Sequence, residues 1–100
     1  MSDSRRRYRR SLTSGREFDP AQSSANKAKH GIDFVEAQTL WLDEALIEAP
    51  AKTDDEPRLL FVGRIGRRHW SAVCVRCGQR TRIISVRRSR KEEIEAYESA

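Results

Sequence analysis

The sequence predicts an α+β fold in which two N-terminal helices and one C-terminal helix cover a four-stranded antiparallel sheet. Three observations lead to this prediction. Helix-capping residues and helically spaced apolar side chains occupy residues 17–42. Apolar runs with strand-like alternation, bounded by Gly and Pro, follow over residues 45–86. A charged segment with capping residues then ends the chain, which is the element order of an α+β domain.

The length suits one domain, and the charge is unevenly distributed. The chain has 100 residues, 37% of them hydrophobic, and a formal net charge of +5. Residues 1–16 contain six Arg and one Asp and so carry the whole +5, while residues 17–100 have 14 basic and 14 acidic side chains. We expect a disordered basic extension over residues 1–16 and one folded domain over residues 17–100. The extension either grips nucleic-acid phosphates or is dispensable.

The neutral domain is itself dipolar. Residues 33–57 hold eight acidic side chains against one Lys, and residues 58–91 hold eleven basic side chains and no acidic one. The chain has neither a long apolar stretch nor an apolar leader, which predicts a cytoplasmic protein with reduced thiols.

Two helices are predicted before residue 45. Asp19 caps the first helix and Pro20 takes its first position, and Gly31 ends it in a left-handed conformation. Asp33 and Glu36 have the spacing of a capping box for the second helix. Its apolar face combines four side chains, Phe34, Ala37, Leu40 and Trp41.

From residue 45 the spacing of apolar residues changes from helical to strand-like, which predicts the sheet, and the last helix follows it. Strands are predicted at residues 46–47, 58–65, 69–75 and 80–86, with Gly78 in the turn between the last two. The last helix is predicted over residues 89–98, with Ser89 and Glu92 as its capping box.

Cys74 and Cys77 have the C-x-x-C spacing of half a zinc site, and His30 and His69 are the candidate further ligands. Structural zinc usually requires two such pairs. In addition, a separation of three positions along a strand puts the two thiols on opposite faces. The alternative, a buried small hydrophobe and a turn residue, is the one we favour, so no metal site is predicted.

The strand at residues 80–86 carries two arginines on one face. Strand periodicity puts Arg80, Arg82 and Ile84 on one side and Thr81, Ile83 and Ser85 on the other. Two adjacent guanidinium groups repel each other unless an anion lies between them, so the pair suits a phosphate. A solvated basic edge strand that resists aggregation is the competing interpretation.

Lys29 and His30 end the first predicted helix. A histidine can exchange a proton with a ribose hydroxyl or a leaving oxygen, and arginines can neutralise a phosphorus transition state, which together suffice for RNA cleavage without metal. Cationic side chains also complement the dipole at a helix C-terminus, so the residues alone leave both interpretations open.

The order of motifs resembles the BrnT family of bacterial toxins. The resemblance rests on Phe18-Asp19-Pro20, on Asn26 followed by Lys29-His30-Gly31-Ile32-x-Phe34, on Arg80-x-Arg82-Ile83-Ile84-Ser85-x-Arg87-Arg88 and on Tyr97. It implies a RelE-like ribonuclease toxin that a BrnA-like antitoxin holds inactive in a 2:2 complex. DNA is then contacted only through the antitoxin, which represses the shared operon.

The resemblance also suggests roles for the cationic residues. His30 would transfer protons, Arg80 and Arg82 would stabilise the transition state, and no cofactor would be needed. The RNA backbone would be gripped by five further residues, Lys29, Arg58, Arg64, Arg87 and Arg88. This chain departs from the family pattern at Phe18 and Gln22 and has no histidine-serine pair in its acidic loop. The alternative is therefore a catalytically degenerate module that binds its antitoxin and acts in operon repression.

Overall fold

The computed structural model describes residues 16–51 and 57–100, whose strands form a five-stranded mixed sheet in the order β1-β5-β4-β3-β2. The strands are β1 (Arg16–Glu17), β2 (Ile47–Ala51), β3 (Arg58–Ile65), β4 (Arg68–Cys77) and β5 (Arg80–Arg88). The helices are α1 (Pro20–His30), α2 (Phe34–Ala37), a 3₁₀ helix (Gln38–Leu42) and α3 (Lys91–Ser99). Nearly all of the predicted N-terminal extension and the acidic loop at 52–56 lie outside the described residues.

The predicted fold is wrong in two respects, although α-helices and β-strands are both present. The sheet is not a four-stranded antiparallel one, because β1 adds a strand parallel to β5, with Arg16 opposite Thr81 and Glu17 opposite Arg82. Two residues are too few to show strand alternation, so the pattern could not reveal that β1 pairs with β5. The described residues also do not open with two regular helices, since β1 precedes α1 and α2 makes only four residues of α-helix before the 3₁₀ helix.

The capping signals before residue 40 act as predicted. The side chain of Asp19 accepts a hydrogen bond from Ala21 N at 2.9 Å, and α1 ends at Gly31 with φ of 84°. At α2, Asp33 accepts from Glu36 N at 2.7 Å, and Glu36 accepts from Asp33 N at 2.9 Å. These short-range bonds fix where α1 and α2 begin.

The start of α3 differs from the prediction. Ser89 does not cap the helix; its hydroxyl lies 2.7 Å from the hydroxyl of Ser71 on β4. The helix begins at Lys91, and Glu93 accepts a hydrogen bond from the backbone N–H of Arg90 at 2.8 Å. The Ser71 partner, distant in sequence, draws Ser89 away from the helix terminus.

The core fills one face of the sheet. Phe34, Ala37 and Leu40 are fully buried against Ala72 and Ile83 of the central strands. Gly63 on β3 allows the 3₁₀ helix to approach, since a Cβ there would lie 3.0 Å from Leu40 Cδ2. None of the described helices is long and apolar enough to cross a membrane.

Candidate nucleic-acid interface

A β-bulge determines which side chains of β5 share a face. Cys74 pairs with Ile83 and Val73 pairs with Ser85, so Ile84 is an extra residue on β5. The predicted alternation therefore holds up to Ile83 and reverses after Ile84, and Ile83 and Val86 both enter the core. The sheet face opposite the core, on which α3 packs, is called the α3 face below.

Five of the six strand arginines singled out from the sequence project from the α3 face. Their register partners alternate with the core side chains, so the assignment follows from strand pairing. The five are Arg58, Arg64, Arg80, Arg82 and Arg87. Arg88 lies on the opposite face, where its guanidinium is 5.6 Å from the centre of the Trp70 ring.

A row of paired residues crosses the α3 face at one end. Arg58 pairs with Val75, Val75 with Arg82, and Arg82 with Glu17. Because neighbouring strands are about 4.8 Å apart, the Cα atoms of Arg58 and Arg82 are roughly 10 Å apart across Val75. We call these four residues the arginine row. The row brings two guanidinium groups and one carboxylate to the same end of the α3 face.

Glu17 is the partner of both predicted transition-state arginines. Arg80 Nη1 donates to Glu17 Oε2 at 2.7 Å, and Arg82 Nε lies 3.9 Å from Oε1. The hydrogen bond that Arg80 donates to Glu17 raises the pKa of Arg80. The side chains of Arg80 and Arg82 remain 72% and 46% exposed, so an incoming phosphate can reach both.

Arg87 is held by a carboxylate from α3. Its Nη1 and Nη2 donate to the two oxygens of Glu93 at 2.9 and 2.8 Å. Ser71 also donates to Glu93, at 2.8 Å. The Arg87 hydrogen bonds lower the pKa of Glu93 to about 2, with burial opposing the shift. This bidentate pair docks α3 onto β4 and β5.

A second polar cluster lies under the end of α3. Tyr97 donates to Asp43 at 2.7 Å, and the Arg64 backbone N–H donates to the same oxygen at 2.8 Å. Burial raises the pKa of Tyr97 to about 12, and the bond to Asp43 adds to the shift. His69 Nε2 lies 2.8 Å from Glu98. The exposed side chain of Arg64 borders this cluster.

The predicted site residues do not all meet at one place. Asn26 of α1 donates to the carbonyl of Val86 at 2.8 Å, which puts the end of α1 beside the last residues of β5. His30, half-buried, and Lys29, exposed, lie one turn further along. Arg82 precedes Val86 by four residues, a strand rise of roughly 13 Å. Lys29, His30 and Arg88 therefore mark one end of β5, and Arg80 and Arg82 the other.

The two cysteines lie on opposite faces of β4. Cys74 is fully buried in the core, and burial raises its pKa to about 12, whereas Cys77 is exposed. This placement does not bring the two thiols to one ion. Among residues 16–51 and 57–100, no cluster of three or more His, Cys, Asp and Glu side chains could hold a metal.

Sequence reasoning missed the two carboxylates that organise the arginines. Glu17 precedes the Phe18-Asp19-Pro20 motif and reaches Arg80 across 63 positions of the chain. Glu93 lies inside the predicted last helix, yet its partners are on β4 and β5. A signal existed for Glu93, since the charged face of a helix next to a basic strand favours pairing, but nothing local indicated Glu17.

The fold and these side chains define a class, a small α+β domain with arginines of two strands on one face of its sheet. A family model described as ribonuclease toxin, BrnT, of type II toxin-antitoxin system matches residues 18–93. The chain belongs to that family. A search of curated proteins found no match. Membership in a family of type II toxins means that the chain has an antitoxin partner.

Proposed function

We propose that this chain is a metal-independent endoribonuclease that cleaves RNA, inhibits translation and is neutralised by a DNA-binding, BrnA-like antitoxin in a 2:2 complex. Family membership supports a ribonuclease toxin. The observation that carries the proposal is the arginine row with the neighbouring Arg80, because it places the exposed side chains of Arg80 and Arg82 and the half-buried Arg58 at one end of the α3 face.

The proposed reaction uses the RNA's own nucleophile. The ribose 2′-hydroxyl attacks the adjacent phosphorus, and negative charge accumulates on the phosphoryl oxygens in the transition state. Arg80 and Arg82 donate hydrogen bonds to these oxygens and offset the accumulating charge. A planar guanidinium can span two oxygens, which a lysine ammonium cannot do. The products are a cyclic phosphate or 3′-phosphate end and a 5′-hydroxyl end.

The remaining cations would hold the RNA on either side of the scissile phosphate. Arg58, Arg64 and Arg87 share the α3 face with Arg80 and Arg82. Lys29 and Arg88 lie at the far end of β5. Contacts from several of these residues would make binding fall steeply with salt concentration.

His30 has a role in this proposal that depends on where the phosphate binds. Proton transfer by His30 requires the scissile phosphate to lie at the Arg88 end of β5, because a general acid or base must be within hydrogen-bond reach. With the phosphate at Arg80 and Arg82, His30 binds the RNA backbone instead. Weaker RNA binding by H30A with an unchanged chemical step, measured under single turnover, supports a phosphate held by Arg80 and Arg82, whereas loss of the chemical step would contradict that placement.

Expression in a bacterial host tests the proposed function. The wild-type chain alone should arrest growth and fragment RNA, and the purified protein should cleave RNA in the presence of a chelator. R82A should abolish both effects, with a loss of about 100-fold or more in cleavage rate, and R82K should recover part of it. R76A is the matched control, since Arg76 is a half-exposed strand arginine that is paired with Glu48 and lies on the sheet face opposite the row. Normal growth with folded wild-type protein would instead support the degenerate module.

A further inference from the structure

We propose that Glu17 is the general base of the cleavage step and accepts the 2′-hydroxyl proton at the phosphate held by Arg80 and Arg82. The inference rests on the proposed ribonuclease activity and adds a catalytic residue to it. A general base must lie within hydrogen-bond reach of the proton that it takes, here the proton of the ribose 2′-hydroxyl beside the bound phosphate. The Glu17 carboxylate is placed for this role, because it lies 2.7 Å from Arg80 Nη1 and 3.9 Å from Arg82 Nε.

The backbone fixes the position of Glu17. β1 pairs with β5 in parallel, so Glu17 is directly opposite Arg82 and its side chain projects from the same face. The preceding residue anchors the strand, because the buried Arg16 guanidinium lies 4.2 Å from the centre of the Trp41 ring. The Glu17 carboxylate is only 31% exposed and points along the arginine row. Glu17 is therefore a half-buried acceptor held beside two exposed cations.

A purely structural role explains Glu17 poorly. Arg80 is 72% exposed, and ion pairs with such exposed partners typically contribute less than about 1 kcal/mol to stability. When RNA binds, a phosphate can replace the carboxylate as the acceptor of the Arg80 hydrogen bond and can accept a further one from Arg82, whose Nε is 3.9 Å from Glu17. The displaced carboxylate then lies next to the phosphate, on the side from which it can reach the ribose hydroxyl.

The chemical step balances without a further reactant. A Glu17 oxygen takes the proton of the 2′-hydroxyl as the 2′-oxygen forms a bond to phosphorus. The bond between phosphorus and the 5′-oxygen then breaks, and the leaving 5′-oxygen takes a proton from water. Glu17 returns its proton to solvent, so that the products are the 2′,3′-cyclic phosphate and the 5′-hydroxyl. Arg80 and Arg82 of β5, with Arg58 two strands away, are the charged groups that face this step.

Single-turnover cleavage of a short RNA by wild type, E17Q and E17D tests this assignment. E17Q should cleave at least about 100-fold more slowly and lose the acidic limb of the wild-type pH–rate profile. E17D keeps a carboxylate one methylene further back and should retain an intermediate rate with that limb present. Binding of an uncleavable RNA with a 2′-deoxyribose at the scissile position should be as tight in E17Q as in wild type, or tighter. E48Q is the matched control, because Glu48 is another strand carboxylate paired with an exposed arginine.

Each contrary result has a distinct meaning. An E17Q variant that cleaves as fast as wild type, or faster, overturns the proposal, because the carboxylate would then be inert or would merely block the arginines. Parallel loss of cleavage, RNA binding and thermal stability in both E17Q and E17D also overturns it and assigns Glu17 a structural role. Absence of cleavage by the folded wild-type protein refutes the proposed function itself, and the general base with it.

Discussion

The interaction of Glu93 with Arg87 shows how one carboxylate on a helix can fix the position of an arginine on the sheet. Glu93 accepts both Arg87 hydrogen bonds and one from Ser71, and its side chain is 11% exposed. Removing one partner leaves the other group desolvated without compensation, which costs more than the pair itself contributes. Arg87 therefore has a docking role for α3 as well as its proposed contact with RNA.

We expect the Glu93 contribution to stability to depend on pH. Its folded pKa is lowered to about 2 from the usual 4.5, so the stabilisation is fully present above pH 4.5 and is lost as the pH falls toward 2. E93Q should destabilise the domain by about 2 kcal/mol at pH 7. The difference from wild type should shrink below pH 4.5. Urea unfolding of both proteins at pH 7 and pH 3 measures this.

Glu95 provides the control for that experiment. It is an exposed carboxylate on the same helix, so E95Q should change the unfolding free energy by less than about 0.5 kcal/mol at either pH. If E93Q lowers the free energy of unfolding by the same amount at pH 7 and pH 3, the ionic explanation is contradicted.

At the scale of elements, the sequence was informative where the determining contacts are local. Asp19, Pro20 and Gly31 define α1 through neighbours within a few positions, and the structure confirms its limits. β1, the bulge at Ile84 and the displaced start of α3 each depend on pairings between distant parts of the chain. No local pattern contains that information, which is why the row of Arg58, Arg82 and Glu17 could not be foreseen although its arginines could.

The side chain of Asn26 joins α1 to β5 and should largely determine how α1 packs against that strand. Its amide donates to the carbonyls of Ile32 and Val86 at 2.8 Å each and accepts from Val86 N at 3.1 Å. N26A should lower the free energy of unfolding by about 3 kcal/mol, because three buried backbone groups lose their partner. Thermal or urea unfolding measures the loss. Q22A, at an exposed position of α1, is the control and should be nearly neutral.

Hydrogen exchange distinguishes the effect of these Asn26 hydrogen bonds from a general loss of packing. Since Asn26 ties α1 to β5 and accepts a hydrogen bond from the Val86 N–H, amide hydrogen exchange in N26A should accelerate at Val86 more than on β3. Stability equal to that of wild type, or a uniform increase in exchange, would contradict the role assigned to Asn26.

At the scale of the whole molecule, the cations are concentrated on one part of a neutral domain. The segment 58–91 has eleven basic side chains and no acidic one, and five of its arginines share the α3 face. Glu17 and Glu93 offset only some of this charge from within the chain. A partner that covers the α3 face would have to supply acidic or hydrogen-bonding groups. RNA and the antitoxin would then compete for the same surface.

We therefore predict that the antitoxin docks on the α3 face and places acidic residues opposite its arginines. R80E should weaken the complex at least about 10-fold at low salt, with much of the effect in the association rate, because reversed charge opposes electrostatic steering. Arg80 is suited to this test since it is 72% exposed, whereas reversal of the half-buried Arg87 would also disturb α3. R76E, on the opposite face, is the matched control. Calorimetry and stopped-flow mixing with the purified antitoxin provide the measurements. Unchanged affinity of R80E for an antitoxin that still blocks RNA cleavage by the wild type would place the inhibitory contact on another face.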